Sequence, residues 1–161
     1  MANRCSGTKS GRPSVQPLSR SQMMARVTGK NTAPEMAVRK ALWTAGVRYR
    51  IHDGRYAGRP DLFIPRLNLA VFVNGCFWHG HTCPKGALPK SNIGFWETKL
   101  RLNVLRDKSK IAELARNGIA SIVLWACEPV KNAGTLQRLA RRYHATSSKS
   151  RETFSRRRLR S

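Results

Sequence analysis

The sequence predicts an α/β domain in which a helix, three strands, a second helix and a fourth strand follow one another, with a mixed sheet flanked by helices. Three observations lead there. The chain has 161 residues, the size of one domain with extensions. It is 40% hydrophobic, enough to bury a core although 31 Lys and Arg face 8 Asp and Glu for a net charge of +23. Its apolar residues alternate between helical spacing and short β-rich runs, with Gly and Pro between them.

Each element has its own signal. In TAPEMAVRKALWTAG, Pro34 suits a first turn, Glu35 complements the positive helix end and Gly46 is a stop, so a helix is expected near 34–45. Val47, Tyr49 and Ile51 alternate in VRYRI as in a half-buried strand. After the GRP turn, DLFI and LAVFV are strand-like, and the interval from Pro65 to Asn68 makes them a hairpin. From Phe95 to Asn117, the residues Trp96, Leu100, Val104, Ile111 and Leu114 keep helical spacing until Gly118. IASIVLW reads as a buried strand suited to the sheet centre. A further short helix near 134–144 would group Leu136, Leu139, Ala140 and Tyr143 on one face.

The charge is uneven. Residues 1–34 hold six basic groups and no acid, and residues 129–161 hold ten against Glu152 alone. The expected organisation is a flexible basic arm over 1–18, a folded domain over 19–128 and a basic extension over 129–161. A field this positive favours a polyanion, and nucleic acid is the commonest in a cell. An acidic membrane surface or protein is the alternative. No run approaches the roughly 18 apolar residues of a membrane span, and the basic start lacks the apolar stretch of a secretory signal. The reading is an intracellular, cytoplasmic protein.

With so few acids, any that is buried needs a partner or a metal. Asp107 shares a helix face with Val104 and Ile111, Asp61 follows Pro60 at a strand start near Arg55 and Arg59, and Glu35 opens the first helix. Such carboxylates could hold Mg²⁺ for phosphodiester cleavage; equally, Asp107 could be salt-bridged, Asp61 could cap a turn and Glu35 could serve the helix dipole. In CFWHGHTC, Cys76, His81 and Cys83, joined by the distant Cys127, have the ligand chemistry of structural zinc, and His79 is left over. Buried free thiols account for the same residues. Phe77 with Trp78, and Phe95 with Trp96, are adjacent aromatics, so one of each pair should be exposed; they are either wedges for a base stack or anchors filling gaps.

The strings GRPDLFIP, AVFVNGCFWHGHTCP, FWETKLRLNVLRD and VLWACE together resemble the very-short-patch-repair DNA mismatch endonucleases, from about RSQMMARVTGKNTAPE to Glu128. The resemblance implies a restriction-endonuclease-like, PD-(D/E)XK-type core and Mg²⁺-dependent nicking of one strand 5′ of the thymine in a T·G mismatch left by deamination of 5-methylcytosine. It implies Asp61 as the Mg²⁺ ligand, assisted by the main-chain carbonyl of Val73, and Glu35, His79, Asp107 and Asn74 in the catalytic shell, with His79 as general base. It implies Cys76, His81, Cys83 and Cys127 as zinc ligands. Phe77, Trp78, Trp96 and Lys99 would meet DNA at the mismatch, with Met24 approaching from the other groove. Double-stranded DNA, a cytosine-5 methyltransferase and mismatch-repair proteins would be its partners, with the protein a nucleoid-associated bacterial monomer. Two departures stand out. Asn74 fills a slot that often holds histidine and cannot titrate, and the strand reading FVN lacks the acid and lysine usual in PD-(D/E)XK enzymes. A zinc-stabilised, non-catalytic nucleic-acid binder is the rival reading, as is a related nuclease acting on junctions or unmodified sites.

Overall fold

The computed structural model describes the backbone of residues 29–158 and the side chains of residues 29–146. The chain divides into two units, Met1–Asn31 and Thr32–Ser161, and every helix and strand among the described residues lies in the second. The expected arm over 1–18 and Met24 lie outside the described residues.

Helix α1 spans Ala33–Thr44. Thr32 and Glu35 form a reciprocal capping box, Pro34 sits in the first turn, and Gly46 follows the end in the left-handed region at φ 72°. Val38 and Leu42 point into the core. Strand β1 is only Arg50–Ile51, shorter than expected. Val47 is fully buried and supports the core ahead of the ladder. Strand β2, Leu62–Ile64, is buried throughout, and its register places Ile51 opposite Leu62.

Between β2 and β3, Leu69–Asn74, the chain turns through a 3₁₀ segment, Pro65–Leu67, and through Asn68 at φ 46°. The Asn68 side-chain amide donates to the Gly118 carbonyl at 2.8 Å, and its own carbonyl accepts from Ala120 at 3.1 Å. One residue thereby aligns the starts of β3 and β4. Helix α2, Ile93–Arg116, crosses to β4, Ala120–Trp125, which pairs with β3 in parallel. The sheet is mixed, in the order β1-β2-β3-β4. β4 therefore lies at an edge, not in the centre. Its apolar run is explained by half-burial beneath helices instead of by strands on both sides.

The final helix also differs from expectation. It begins at Pro129 and runs to Arg158 as α3, about 45 Å at 1.5 Å per residue. Leu136, Leu139 and Tyr143 are buried in the principal core with Val38, Leu42, Val47, Leu62, Ile64, Val71 and Leu124. Thus α1 and α3 cover one sheet face. On the other, Phe63, Ala70 and Leu114 make a smaller cluster with Tyr56, Phe72 and Ile119. No helix among the described residues is long and apolar enough to cross a membrane.

Candidate active site and metal centre

Asp61 stands immediately before β2, where its carbonyl accepts the His52 N–H at 3.4 Å. Its Oδ2 accepts the Val73 N–H at 2.7 Å, so the contact between Val73 and Asp61 runs through the amide N–H. Glu35, 2% exposed, reaches the same place from the first turn of α1. Its Oε2 accepts the Thr32 N–H at 3.3 Å, and its Oε1 contacts the Arg39 guanidinium and lies 3.3 Å from His52 Nε2. One donor atom from each of Glu35, His52 and Asp61 lies within 4.8 Å of the others. Ligands about 2.1 Å from a Mg²⁺ ion are roughly 3.0 to 4.2 Å apart, so the cluster is close to the size that such an ion requires.

Electrostatics agree with that geometry. Burial pushes the Asp61 carboxyl above its ordinary range; the Val73 N–H opposes this, and the nearby Glu35 charge adds to it. A site that disfavours its own anion gains from a cation. Arg55, expected beside Asp61, instead pairs with Asp53 at 2.5 Å and holds that carboxyl down at about 2. Sequence reasoning missed His52 and Arg39. Arg39 is four residues after Glu35 on one helix face, and antiparallel pairing of Ile51 with Leu62 already implies that residue 52 faces residue 61.

A second polar group lies on the other side of β3. His79 Nδ1 is 2.5 Å from Asp107 Oδ2, and Lys110 Nζ is 3.4 Å from Asp107 Oδ1. Asn74, 8% exposed, shares a small void with Asp107, Lys110 and Phe72. With Asp107 fixing Nδ1, the ring presents Nε2 for proton exchange. Val73 and Asn74 are consecutive, and alternation along β3 turns their side chains to opposite faces. The strand end thus joins Asp61 and Glu35 on one flank to His79 and Asp107 on the other.

After β3 the chain folds into a compact loop. The His81 N–H donates to the Cys76 carbonyl at 3.0 Å, Cys83 to His81 at 2.9 Å, and Gly86 to Cys83 at 2.8 Å. Gly86 has no alternative, because a Cβ there would lie 2.0 Å from the His81 carbonyl oxygen. Cys76, His81, Cys83 and Cys127 come together with donor atoms within 4.8 Å. His81 Nδ1 lies 3.3 Å from Cys127 Sγ, against about 3.5 Å expected across an edge of a tetrahedral zinc site. The hydrogen bond from His81 draws the Cys83 thiol down to about 6, whereas burial and the neighbouring thiols push Cys127 up to about 12. Sulfurs this close resist ionising together without a cation, and the donor set is one that could bind zinc.

Beside this loop, Phe77, Trp78 and Trp96 form an edge-to-face cluster with centroids 5.1 to 6.1 Å apart. Phe95 is 57% exposed while Trp96 is half-buried, so that pair divides as expected. Phe77 and Trp78, by contrast, are both half-buried, because they sit in turns and not on a strand. Lys99 Nζ lies 5.3 to 5.8 Å from the rings of Trp78, Phe95 and Trp96.

Sheet-end carboxylates, a carboxylate-oriented imidazole and a cationic aromatic surface are the equipment of an α/β enzyme that hydrolyses phosphodiesters. A family profile described as DNA mismatch endonuclease Vsr matches residues 14–85. The chain is 44% identical over 122 residues to the type II nicking enzyme V.NmeAIP of Neisseria meningitidis serogroup A, covering 76% of this chain and 87% of that protein. It is 43% identical over 123 residues to the type II nicking enzyme V.XorIIP of Xanthomonas oryzae pv. oryzae, covering 76% and 90%. To the DNA mismatch endonuclease Vsr of Escherichia coli K12 it is 32% identical over 108 residues, covering 67% and 69%. The chain belongs to the Vsr family of DNA endonucleases.

Proposed function

We propose that this protein nicks one strand of duplex DNA 5′ of the thymine in a T·G mismatch formed when 5-methylcytosine deaminates, and so begins very-short-patch repair. The observation that carries the reading is that β3 ends between a carboxylate pair capable of holding a divalent cation, tied to it through the Val73 N–H, and an imidazole oriented by a carboxylate. Asp61, with Glu35, would hold Mg²⁺, which when bound neutralises the phosphate and lowers the pKa of water.

The chain's own residues supply the rest. His79 takes the proton of the attacking water at Nε2, while Asp107 steadies the resulting imidazolium through Nδ1. Lys110 limits the negative charge at Asp107. Asn74 offers a hydrogen bond without a titrating proton. Cys76, His81, Cys83 and Cys127 would hold a structural zinc, which when bound would fix the loop carrying Phe77, Trp78 and His79. The aromatic cluster unstacks the mismatched step, where unstacking is cheapest, and Lys99 pairs with the backbone nearby. The proposed partners are double-stranded DNA with the mismatch, a cytosine-5 methyltransferase that creates its precursor, and downstream repair proteins; the enzyme acts as a monomer.

The test compares nicking of a T·G duplex and its matched counterpart with Mg²⁺, using wild type and Asp61→Ala. Strand-specific cutting of the mismatch by wild type alone is expected. Cutting of both duplexes alike refutes mismatch specificity, and undiminished cutting by Asp61→Ala refutes the assignment of Asp61.

A further inference from the structure

We infer that His52 supplies a third donor, through Nε2, to the cation site of Glu35 and Asp61, and that this imidazole biases the site towards cations softer than Mg²⁺. The inference rests on the proposed Asp61 site and deepens it. Three observations carry it. His52 Nε2 belongs to the group of donor atoms within 4.8 Å that includes both carboxylates. The His52 backbone is tied to Asp61 by its N–H, so the two residues are held side by side across the ends of β1 and β2. Finally, His52 Nε2 lies 3.3 Å from Glu35 Oε1, with the His52 backbone in the left-handed region at φ 45°.

The guanidinium of Arg39 contacts Glu35 Oε1 and lies 3.0 Å from His52 Nε2. It therefore occupies the contacts that a divalent cation would make with the same two atoms. A cation entering between Glu35, His52 and Asp61 takes over those contacts from Arg39. Because imidazole nitrogen suits transition metals and Mg²⁺ prefers oxygen, the mixed donor set favours Mn²⁺ over Mg²⁺.

The experiment is Mn²⁺ and Mg²⁺ titration of the zinc-loaded full chain, with pulsed paramagnetic resonance reading the coupling of bound Mn²⁺ to ¹⁴N. The proteins are wild type, His52→Gln, His52→Asn, His79→Gln and Asp61→Asn. Asparagine tolerates the left-handed backbone, which guards against loss of folding. Wild type and His79→Gln should show the nitrogen coupling. Both His52 variants should lose it and weaken Mn²⁺ binding about 10-fold or more, with a smaller change for Mg²⁺. Asp61→Asn should lose both cations. If the His52 variants keep the coupling and their Mn²⁺ affinity while Asp61→Asn loses binding, the role of His52 is overturned and the Asp61 site survives. If Asp61→Asn keeps both cations, the site itself is wrong and the inference falls with it.

Discussion

Replacing Asp107 with Asn tests the pairing that orients the imidazole on its flank of the site. Its Oδ2 lies 2.5 Å from His79 Nδ1, and both side chains are partly exposed, at 23% and 29%. A hydrogen bond to a charged group is worth about 1.5 to 3 kcal/mol, with exposure placing this one towards the lower end. The pair matters most when the imidazole carries the transferred proton, so the loss should appear in the chemical step as roughly a 10- to 100-fold lower rate. The assay is single-turnover nicking of a mismatched duplex at saturating enzyme, which removes binding from the measurement. His79→Ala alone and combined with Asp107→Asn completes a double-mutant cycle. The double variant should be no slower than His79→Ala, since Asp107 acts through that ring. A wild-type rate in Asp107→Asn, or additive losses in the double variant, would refute the reasoning.

Gly86→Ala should destabilise the thiol loop by several kcal/mol, because its Cβ meets the His81 carbonyl oxygen 2.0 Å away; bound zinc per chain and the melting temperature should both fall. The raised Asp61 pKa makes the folded protein bind a proton more tightly than the unfolded chain, so its contribution to stability declines as pH rises from the unfolded carboxylate value through the folded one. In cation-free protein, Asp61→Asn should therefore melt higher than wild type at neutral pH, with the gap narrowing as the solution is acidified. Trp78→Ala should weaken binding to a mismatched duplex by about 1 to 3 kcal/mol, roughly 5- to 150-fold, and by less on matched DNA, as read by fluorescence anisotropy.

Helix and strand positions are the readily legible part of this sequence because periodicity and punctuation reflect local geometry. TAPEMAVRKALWTAG carries its own cap and stop, and α1 lies within a residue of the expected bounds. Quantities set by tertiary structure are less visible. The apolar content of IASIVLW does not distinguish a central strand from an edge strand under helices. The basic residues after Tyr143 read as a solvated tail and so imply a short α3, yet a helix tolerates such residues when its first half is anchored by Leu136, Leu139 and Tyr143. At the site, the four residues expected to bind zinc are brought together, as are Asp107 with His79 and Asp61 with Glu35. His52 is hidden because a histidine outside the thiol loop carries no local signal, and Arg39, though four residues after Glu35, is one basic residue among 31. Their significance arises from strand register and helix docking.

Asn68 gives the turn before β3 a consequence for catalysis. Its bent backbone and its hydrogen bonds to Gly118 and Ala120 set the phase in which β3 enters the sheet. Advancing that strand by one residue would exchange its faces, presenting residue 74 to the carboxylate pair and residue 73 to the imidazole flank. The geometry of the candidate site therefore depends on a turn that touches none of its reactive atoms. Inactive variants need not map to the catalytic pocket: some belong at the hairpin that keeps the two halves of the chemistry in step.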